Sequence, residues 1–222
     1  MKIMAVMAHP DDAEIWCGGT LILHAEKGDP VQICILSYEG DSGRGEEARL
    51  SANRMGCEVE FYGFRDAEIR ETKDALKRLI RSLEQFKPDV VITHWFDDLH
   101  PDHEAVFLLL RRALFTLYFR DKRQLSPRLF CCDTYDSQGI RGLFQPDRFV
   151  DVSGVWDKKT AAIRAHGTQP LSFFLDMIGR QCIAHGKSVG VARAEGFIYV
   201  PVVPDQGEPL GGGFQKGRVI GP

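Results

Sequence analysis

Apolar and polar blocks alternate along this chain in a way that predicts strands alternating with helices. Short, continuous apolar runs are typical of strands buried on both faces of a parallel sheet. The predicted strands are 2–8, 31–37, 57–62, 89–94, 129–135, 148–152 and 197–203. The predicted helices are 14–27, 46–55, 73–86, 102–119, 155–166 and 171–184. This rhythm predicts an α/β fold with a mostly parallel, doubly wound sheet and helices on both faces.

The last nineteen residues differ from the rest of the chain. Nine of the residues in 204–222 are Gly or Pro, and the strand and helix patterning stops there. Such a composition predicts a loose tail or an arm used in oligomer contacts. We therefore expect one α/β domain over 1–203, followed by a Gly/Pro-rich tail.

Composition narrows the class of partner. The 222 residues carry a net charge of −3 and no long basic stripe, which disfavours nucleic acid as a partner. No apolar stretch reaches the length of a membrane span, and the first eight residues are too few for a signal sequence. None of the six cysteines forms a C-x-x-C pair. A reducing, cytoplasmic location is the simplest interpretation.

Two clusters of histidine and aspartate carry the candidate chemistry. His9-Pro10-Asp11-Asp12 follows the first predicted strand, and His100-Pro101-Asp102-His103 follows the fourth. In a doubly wound sheet the first and fourth strands are neighbours, and a crevice opens beyond their carboxyl ends. The topology therefore predicts that the two clusters meet, and their combined charge predicts a divalent metal between them.

The residue types indicate particular roles. His9, Asp12 and His103 would supply the two imidazoles and one carboxylate of a catalytic zinc site, in which the fourth position stays open for water. Asp11 is suited to take a proton from the metal-bound water. The alternatives are a structural hydrogen-bond network for the three ligands and a loop-capping role for Asp11.

The sequence leaves several roles possible for the remaining members of the second cluster. His100 lies one helical turn from His103, so it could stabilise an oxyanion or protonate a leaving group, or merely cap the following helix. Asp102 or Asp98 could fix the tautomer of His100. His94, just before this cluster, is interpreted as an ordinary histidine, and Glu14 as a favourable partner of the helix dipole.

These motifs resemble a known family. Ala-His-Pro-Asp-Asp-Ala-Glu at 8–14, Cys-Gly-Gly-Thr at 17–20 and Asp-Leu-His-Pro-Asp-His at 98–103 are similar to motifs of the zinc-dependent N-acetylglucosamine deacetylases, the PIG-L or LmbE-like de-N-acetylases. The resemblance implies a Rossmann-like fold, hydrolysis of an N-acetyl group from an amino sugar or glycoconjugate, and a zinc cofactor. It also makes a homo-oligomer plausible.

Carried over residue by residue, the resemblance places the metal ligands at His9, Asp12 and His103, the general base at Asp11 and the polarising histidine at His100. These roles agree with those that the spacing indicates.

A third stretch, His166-Gly167-Thr168-Gln169, also resembles the family, which implies a place for His166 at the rim of the site. The family's arginine-bearing helix is matched by Arg44 and Arg49. Its usual acidic residue is expected to be replaced by Ser51-Ala52-Asn53, and Asp98 stands where some members have tyrosine. The residues that would bind the sugar are therefore not identified from the sequence.

Competing functions are weaker. A nucleotide-binding oxidoreductase would need G-x-G-x-x-G after the first strand, where this chain has His-Pro-Asp-Asp. A metal-holding binding protein, or a homologue that acts on another amide, remains an alternative. A ligand set of two histidines and one aspartate also accepts Fe²⁺ or Co²⁺.

Overall fold

The computed structural model describes residues 1–40, 42–120, 126–202 and 219–220, which form one mixed sheet flanked by helices. The strands are β1 (Ile3–Met7), β2 (Val31–Ser37), β3 (Glu58–Phe64), β4 (Val90–Thr93), β5 (Arg128–Cys132), β6 (Arg148–Asp151), β7 (Ala194–Val200) and β8 (Val219–Ile220). The helices are α1 (Asp12–Glu26), α2 (Gly43–Met55), α3 (Lys73–Phe86), α4 (Pro101–Arg120), α5 (Trp156–Ile163) and α6 (Leu171–Val189).

The sheet has the strand order β3-β2-β1-β4-β5-β7-β6-β8. Strands β1 to β5 pair in parallel, whereas β7 runs antiparallel to both β5 and β6. The predicted α/β class and the pairing of the first strand with the fourth are confirmed, with Val6 opposite Thr93 in the last β1–β4 pair. Strand order reverses at this pair, which opens the expected crevice.

Helices cover both faces of the sheet. On one face α1, α2, α5 and α6 contact one another, and on the other face α3 packs against α4. Strand β1 supplies both cores, because successive side chains of a strand point to opposite faces. Ile3, Ala5 and Met7 belong to the first core, and Met4 and Val6 to the second. This two-sided burial explains the continuous apolar run at the start of the sequence.

Several element bounds differ from the prediction, and two of the differences have a clear local cause. Strand β5 ends at Cys132, because the chain turns into a short 3₁₀ helix at Tyr135–Ser137. Helix α6 continues to Val189, where Gly190 closes it with a left-handed backbone conformation at φ 80°. Neither difference moves the carboxyl ends of β1 and β4, so the predicted location of the site is unaffected.

A buried ion pair lies against the second turn of α1. The Lys159 ammonium and the Glu195 carboxylate are 2.6 Å apart, and the two residues are 1% and 2% exposed. Glu195 accepts from the Gly19 and Thr20 amides at 2.7 and 2.8 Å, and Lys159 donates to the Ile15 carbonyl at 2.8 Å. A Cβ at Gly19 would lie 2.5 Å from Val152, so this close approach requires glycine.

All six cysteines are free, and each except the half-buried Cys57 is buried, in agreement with their apolar surroundings in the sequence. No helix in the described ranges has the length and apolar character needed to cross a bilayer. The predicted tail over 204–222 lies outside the described residues except at Val219 and Ile220. Its role and the homo-oligomer stay predictions.

Candidate active site

The first cluster forms a tight turn at the carboxyl end of β1. The His9 amide donates to Asp12 Oδ2 at 2.7 Å, and the Asp12 amide donates back to the His9 carbonyl at 3.3 Å. Between them, Asp11 adopts φ 106°, a conformation that non-glycine residues rarely take. The turn thereby places three acidic or imidazole side chains at the start of α1.

The second cluster lies at the start of α4. Pro101 is the first helical residue, where a missing amide hydrogen costs nothing, and Asp102 and His103 follow it in the first turn. The loop before the helix is held by Asp98, whose Oδ1 accepts from the His100 amide at 2.8 Å. The two clusters meet across the β1–β4 crevice, as the sequence predicts.

Nitrogen and oxygen atoms of His9, Asp12 and His103 lie within 4.8 Å of one another, close enough to hold a metal ion. Asp12 Oδ2 is 3.3 Å from His9 Nδ1, and Asp12 Oδ1 is 3.4 Å from His103 Nε2. All three residues are buried. Within the described part of the chain, His103 Nε2 has no hydrogen-bond partner, so the group fits a cation that would accept this lone pair.

Two further groups of three meet the same distance limit, one with His94 and Asp98 beside His103, the other with His100 and Asp102 beside His9. The second nitrogen of each shared histidine is already engaged. His103 Nδ1 lies 3.0 Å from Asp98 Oδ2, and His9 Nε2 lies 3.3 Å from Asp102 Oδ2. This leaves His9 Nδ1 and His103 Nε2 directed at Asp12.

Charge strengthens this arrangement. Burial alone would raise the pKa of Asp12, but the charge of His103 holds it well below its usual value. Burial would likewise lower the pKa of His103, yet Asp12 and Asp98 raise it to about 10. Asp12 is therefore ionised, and in the absence of a metal His103 carries the compensating positive charge.

The sequence interpretation expected the carboxylate of Asp98 or Asp102 to fix the tautomer of His100. In the structure both carboxylates orient other histidines. Asp98 orients His103, and Asp102 orients His9. The Asp102 amide donates to His100 Nδ1 at 3.2 Å, so the main chain at the start of α4 fixes the His100 tautomer. Burial and the charges of His103 and His9 lower the pKa of His100.

Asp11 is 5% exposed and pairs with Arg44 of α2. Arg44 Nη2 lies 3.1 Å from Asp11 Oδ2 and donates to the Pro10 carbonyl at 2.7 Å, while its guanidinium stacks over the Tyr38 ring. Burial and the negative charge of Asp12 raise the pKa of Asp11 to about 7, against the opposing effect of Arg44. A carboxylate with such a pKa suits proton transfer near neutral pH.

Arg49, predicted together with Arg44, lies elsewhere. Its guanidinium stacks over the Phe61 ring and its Nε donates to the Gly40 carbonyl at 3.1 Å. Arg49 lies five residues after Arg44 in α2, which corresponds to a rotation of about 140° around the helix axis. This rotation turns Arg49 away from the site. Arg49 lines a separate surface groove.

His166 also differs from its expected place at the rim, because it is fully buried. Its Nε2 lies 3.3 Å from Glu14 Oε1, so Glu14 is a buried partner and more than a favourable charge at the helix start. Burial would lower the pKa of His166, but Glu14 and Asp11 raise it. Both residues in turn influence the pKa of Asp11, which His166 lowers and Glu14 raises.

Two acidic residues, one in the site and one beside it, were not identified from the sequence. Asp66, after β3, places Oδ1 3.1 Å from His9 Nε2 and accepts from the Tyr38 hydroxyl at 2.8 Å. Glu47 accepts from the Thr168 amide and hydroxyl at 2.9 and 2.7 Å. The sequence offered one signal for each residue. Asp66 follows β3 at the same carboxyl edge as the end of β2, and Glu47 lies three residues after Arg44 on the same helix.

A small pocket of about 110 Å³ opens over these groups. It is lined by His9, Asp11, Asp12, Arg44, Asp66, His100, Tyr135, Gln169 and Phe174. A larger groove of about 880 Å³ runs along the outer face of α4 and contains none of the residues of the two clusters. The small pocket is the candidate active site, because the convergent polar groups lie there.

Comparison with known proteins finds one family model and relatives that are named for two different reactions. The PIG-L family model, described as GlcNAc-PI de-N-acetylase, matches residues 4–114, which include both clusters. A 4-oxalmesaconate hydratase of Pseudomonas putida is 26% identical, over 88% of this chain and 85% of that protein. Diacetylchitobiose deacetylase of Thermococcus kodakarensis is 26% identical, over 90% and 83%. The crystal structure of the 4-carboxy-2-hydroxymuconate hydratase of Pseudomonas putida has a TM-score of 0.79 and 26% identity, covering 95% of this chain and 99% of that one.

Proposed function

This chain belongs to the PIG-L family, and on that basis we propose that it is a zinc-dependent hydrolase that removes the N-acetyl group from an amino sugar or glycoconjugate. The similarity to a diacetylchitobiose deacetylase over 90% of the chain supports this reaction class. The observation that carries the proposal is the convergence of His9, Asp12 and His103 beside the buried carboxylate of Asp11.

In this proposal His9 Nδ1, the Asp12 carboxylate and His103 Nε2 hold the metal. Two imidazoles and a carboxylate are a usual catalytic zinc set. A bound zinc ion supplies Lewis acidity, which polarises a carbonyl and lowers the pKa of water. Asp98 and Asp102 orient the two imidazoles, and such hydrogen-bonded carboxylates make ligands more basic.

Asp11 is the proposed general base. Its carboxylate lines the pocket, and Arg44 holds one of its oxygens at 3.1 Å. Arg44 keeps the carboxylate in place, and burial keeps it basic enough to take a proton near neutral pH. A structural metal site would need no such carboxylate, so Asp11 argues against a merely metal-holding protein.

His100 is the proposed stabiliser of developing charge. It is half-buried and lines the same pocket, with its ring centroid 4.8 Å from that of His9. Its Nδ1 accepts the Asp102 amide, so a proton on the ring lies on Nε2, from which it can be donated to an oxyanion or to the departing amine.

The proposal is tested by metal analysis and acetate release. Purified protein should contain about one equivalent of zinc, and a panel of N-acetylated sugars followed with an amine-reactive dye should identify a substrate. Arg44→Ala should strongly reduce the rate, whereas Arg49→Ala, on the same helix but outside the pocket, should retain it. Protein that holds no divalent metal and releases no acetate from any substrate in the panel would refute the assignment.

Hydration of an unsaturated acid is the second candidate function. It is supported by the 4-oxalmesaconate hydratase, which is 26% identical over 88% of this chain, and by the Arg44 cation in the pocket, which could bind a substrate carboxylate. The two reactions would use the same proton-transfer groups and differ in the carbon that is attacked.

A parallel assay separates the two candidates. Conjugated enol acids lose ultraviolet absorbance when water adds across the double bond, whereas deacetylation releases acetate and a free amine. Acetate release without absorbance loss supports the deacetylase, and the converse supports the hydratase. The Asp11→Asn variant should lower whichever activity is found by about 10²–10⁴-fold, which ties that activity to this pocket.

A further inference from the structure

The peptide groups on either side of Ala8 are held from two neighbouring strands. The Ala8 amide donates to His94 Nε2 at 2.9 Å, across the crevice from β4. The Ala8 carbonyl accepts from the Ser37 amide at 2.9 Å and the Ser37 hydroxyl at 2.7 Å, at the end of β2. All three residues are completely buried. Ala8 directly precedes His9, so these bonds fix the point at which the first cluster leaves the sheet.

These hydrogen bonds from His94 and Ser37 to Ala8, which we call the Ala8 clamp, lie where the regular ladders of the sheet stop. The β1–β4 ladder ends with Val6 opposite Thr93, and the β1–β2 ladder ends with Met7 opposite Ile35. Beyond those pairs the strands separate to form the crevice. On the β4 side the His94 side chain takes the place of a main-chain acceptor, and on the β2 side the Ser37 hydroxyl adds to the bond from the Ser37 amide. A buried amide at this position would otherwise be left without an acceptor.

His94 also contacts the proposed metal ligands. Its ring stacks on that of His103, with centroids 3.7 Å apart and planes inclined by 10°, and its Nε2 lies 3.3 Å from Asp12 Oδ2. Because Nε2 accepts the Ala8 amide, the ring proton lies on Nδ1. That nitrogen is buried and has no hydrogen-bond partner among the described residues, which is an unfavourable arrangement for a side chain that served only to fill space.

The turn that follows Ala8 needs such support. Asp11 adopts φ 106°, a strained conformation for a non-glycine residue, which persists only where the surrounding contacts enforce it. If Ala8 could shift, the turn could relax and the spacing between His9 and Asp12 would change.

We propose that His94 is a positioning residue that, together with Ser37, clamps Ala8 and thereby sets the metal-binding geometry of His9 and Asp12. This inference rests on the proposed metal site. It assigns to His94 the role of an acceptor for one specific amide, with ring stacking as a secondary contribution.

Metal binding by the full chain tests the inference without an activity assay. Metal-free wild-type protein and variants would be titrated with Co²⁺, and affinity and the visible absorption spectrum would be recorded. His94→Phe keeps an aromatic ring but offers no acceptor, so it should weaken Co²⁺ binding by about 10–100-fold and alter the spectrum. His94→Gln offers an oxygen to the amide and should remain within about 3-fold of wild type.

Thr93→Val is the matched control. Thr93 is buried next to His94 and its hydroxyl donates to the Val6 carbonyl at 2.8 Å, so it also links β4 to β1 but does not touch the turn. It should bind Co²⁺ as wild type does. Wild-type affinity and spectrum in His94→Phe would overturn the inference, as would an equal loss in His94→Gln and His94→Phe.

Two further outcomes are decisive. If circular dichroism shows that His94→Phe does not fold, Ser37→Ala tests the other half of the clamp. It removes the hydroxyl bond and should weaken Co²⁺ binding by several fold, and unchanged binding would overturn the inference. If wild-type protein itself binds no Co²⁺, the proposed metal site fails, a result distinct from a clamp that has no effect on an existing site.

Discussion

Two buried polar clusters contact the first half of α1, and they differ in how fully their hydrogen bonds are satisfied. In the candidate active site, His103 Nε2, Arg44 Nε and His166 Nδ1 are buried without hydrogen-bond partners among the described residues. One turn further along α1, Lys159 and Glu195 bind each other and the main chain of α1, and neither appears among the unsatisfied groups. Unsatisfied groups at a pocket suit ligand binding, whereas a satisfied pair braces a helix.

Charge follows the same division. Burial would lower the pKa of Lys159, but Glu195 raises it, so the Lys159 ammonium keeps its charge beside the Glu195 carboxylate. In the active site, burial and the negative charge of Asp12 raise the pKa of Asp11. The candidate active site thus holds neighbouring carboxylates whose repulsion a bound cation would relieve. In the Lys159–Glu195 pair each charge instead faces an opposite charge. Four experiments test this difference, in order of decreasing expected effect.

The largest effect is expected for Asp11→Asn. Asparagine tolerates a positive φ and preserves the shape of the turn, but it cannot accept a proton. The rate of substrate turnover should fall by about 10²–10⁴-fold while zinc content is unchanged. Turnover and metal content would be measured on the same preparation, and loss of zinc in this variant would show that Asp11 supports the metal and not the proton transfer.

Next comes Lys159→Met, which leaves the Glu195 carboxylate buried without its partner. Breaking a buried pair in this way costs about 3–5 kcal/mol in the free energy of unfolding, measured by urea denaturation. Lys158→Met is the control, because the adjacent Lys158 is exposed and pairs with Glu26 at the surface, a contact worth about 0–1 kcal/mol. Equal losses in the two variants would contradict the view that Lys159 braces α1.

Zinc binding at the candidate active site should stabilise the folded protein by a smaller amount than the loss of the Lys159–Glu195 pair destabilises it. At a free concentration of 100 times Kd, a ligand that binds only the folded state stabilises it by about 2.7 kcal/mol. Wild-type protein and Lys158→Met should both show this increase in thermal melts with zinc over melts with chelator. His103→Asn should show little increase, and a full increase in that variant would place the zinc elsewhere.

The smallest effect concerns backbone strain at Asp11. Asp11→Gly should be more stable than Asp11→Ala by about 1–2 kcal/mol, because only glycine adopts φ 106° without a steric penalty. At Asp176, an exposed position inside α6, the order should reverse and alanine should be better by about 1 kcal/mol. Urea denaturation of the four variants measures both differences. The same order at both positions would mean that the Asp11 turn carries no strain.

Much of the fold follows from the sequence because apolar runs and turn residues are local signals. The bounds of β2 and α3 agree with the prediction, and the pairing of β1 with β4 follows from the general topology of doubly wound sheets. The meeting of the two clusters follows from that same rule. The element bounds thus depend on patterns within a few residues, and the topology rule needs only the order of the elements.

Features set by packing between distant elements could not be predicted. Glu195 on β7 and Lys159 on α5 meet under α1 only because the sheet continues past β5 with an antiparallel strand. Asp66 approaches His9 through the loop after β3. Arg44 and Arg49 look equivalent in the sequence, and only their positions around the α2 helix axis separate them.

The burial of the cysteines has a practical consequence. Burial raises the pKa of Cys57 to about 12 and that of Cys182 to about 11, and it raises those of the other four thiols as well. The proposed ligands are imidazole and carboxylate, so air oxidation has little to attack at the metal. A cysteine introduced at Gln169, on the pocket wall, would be far more reactive than the native thiols. A fluorophore attached there could report substrate entry in real time without removal of any native cysteine.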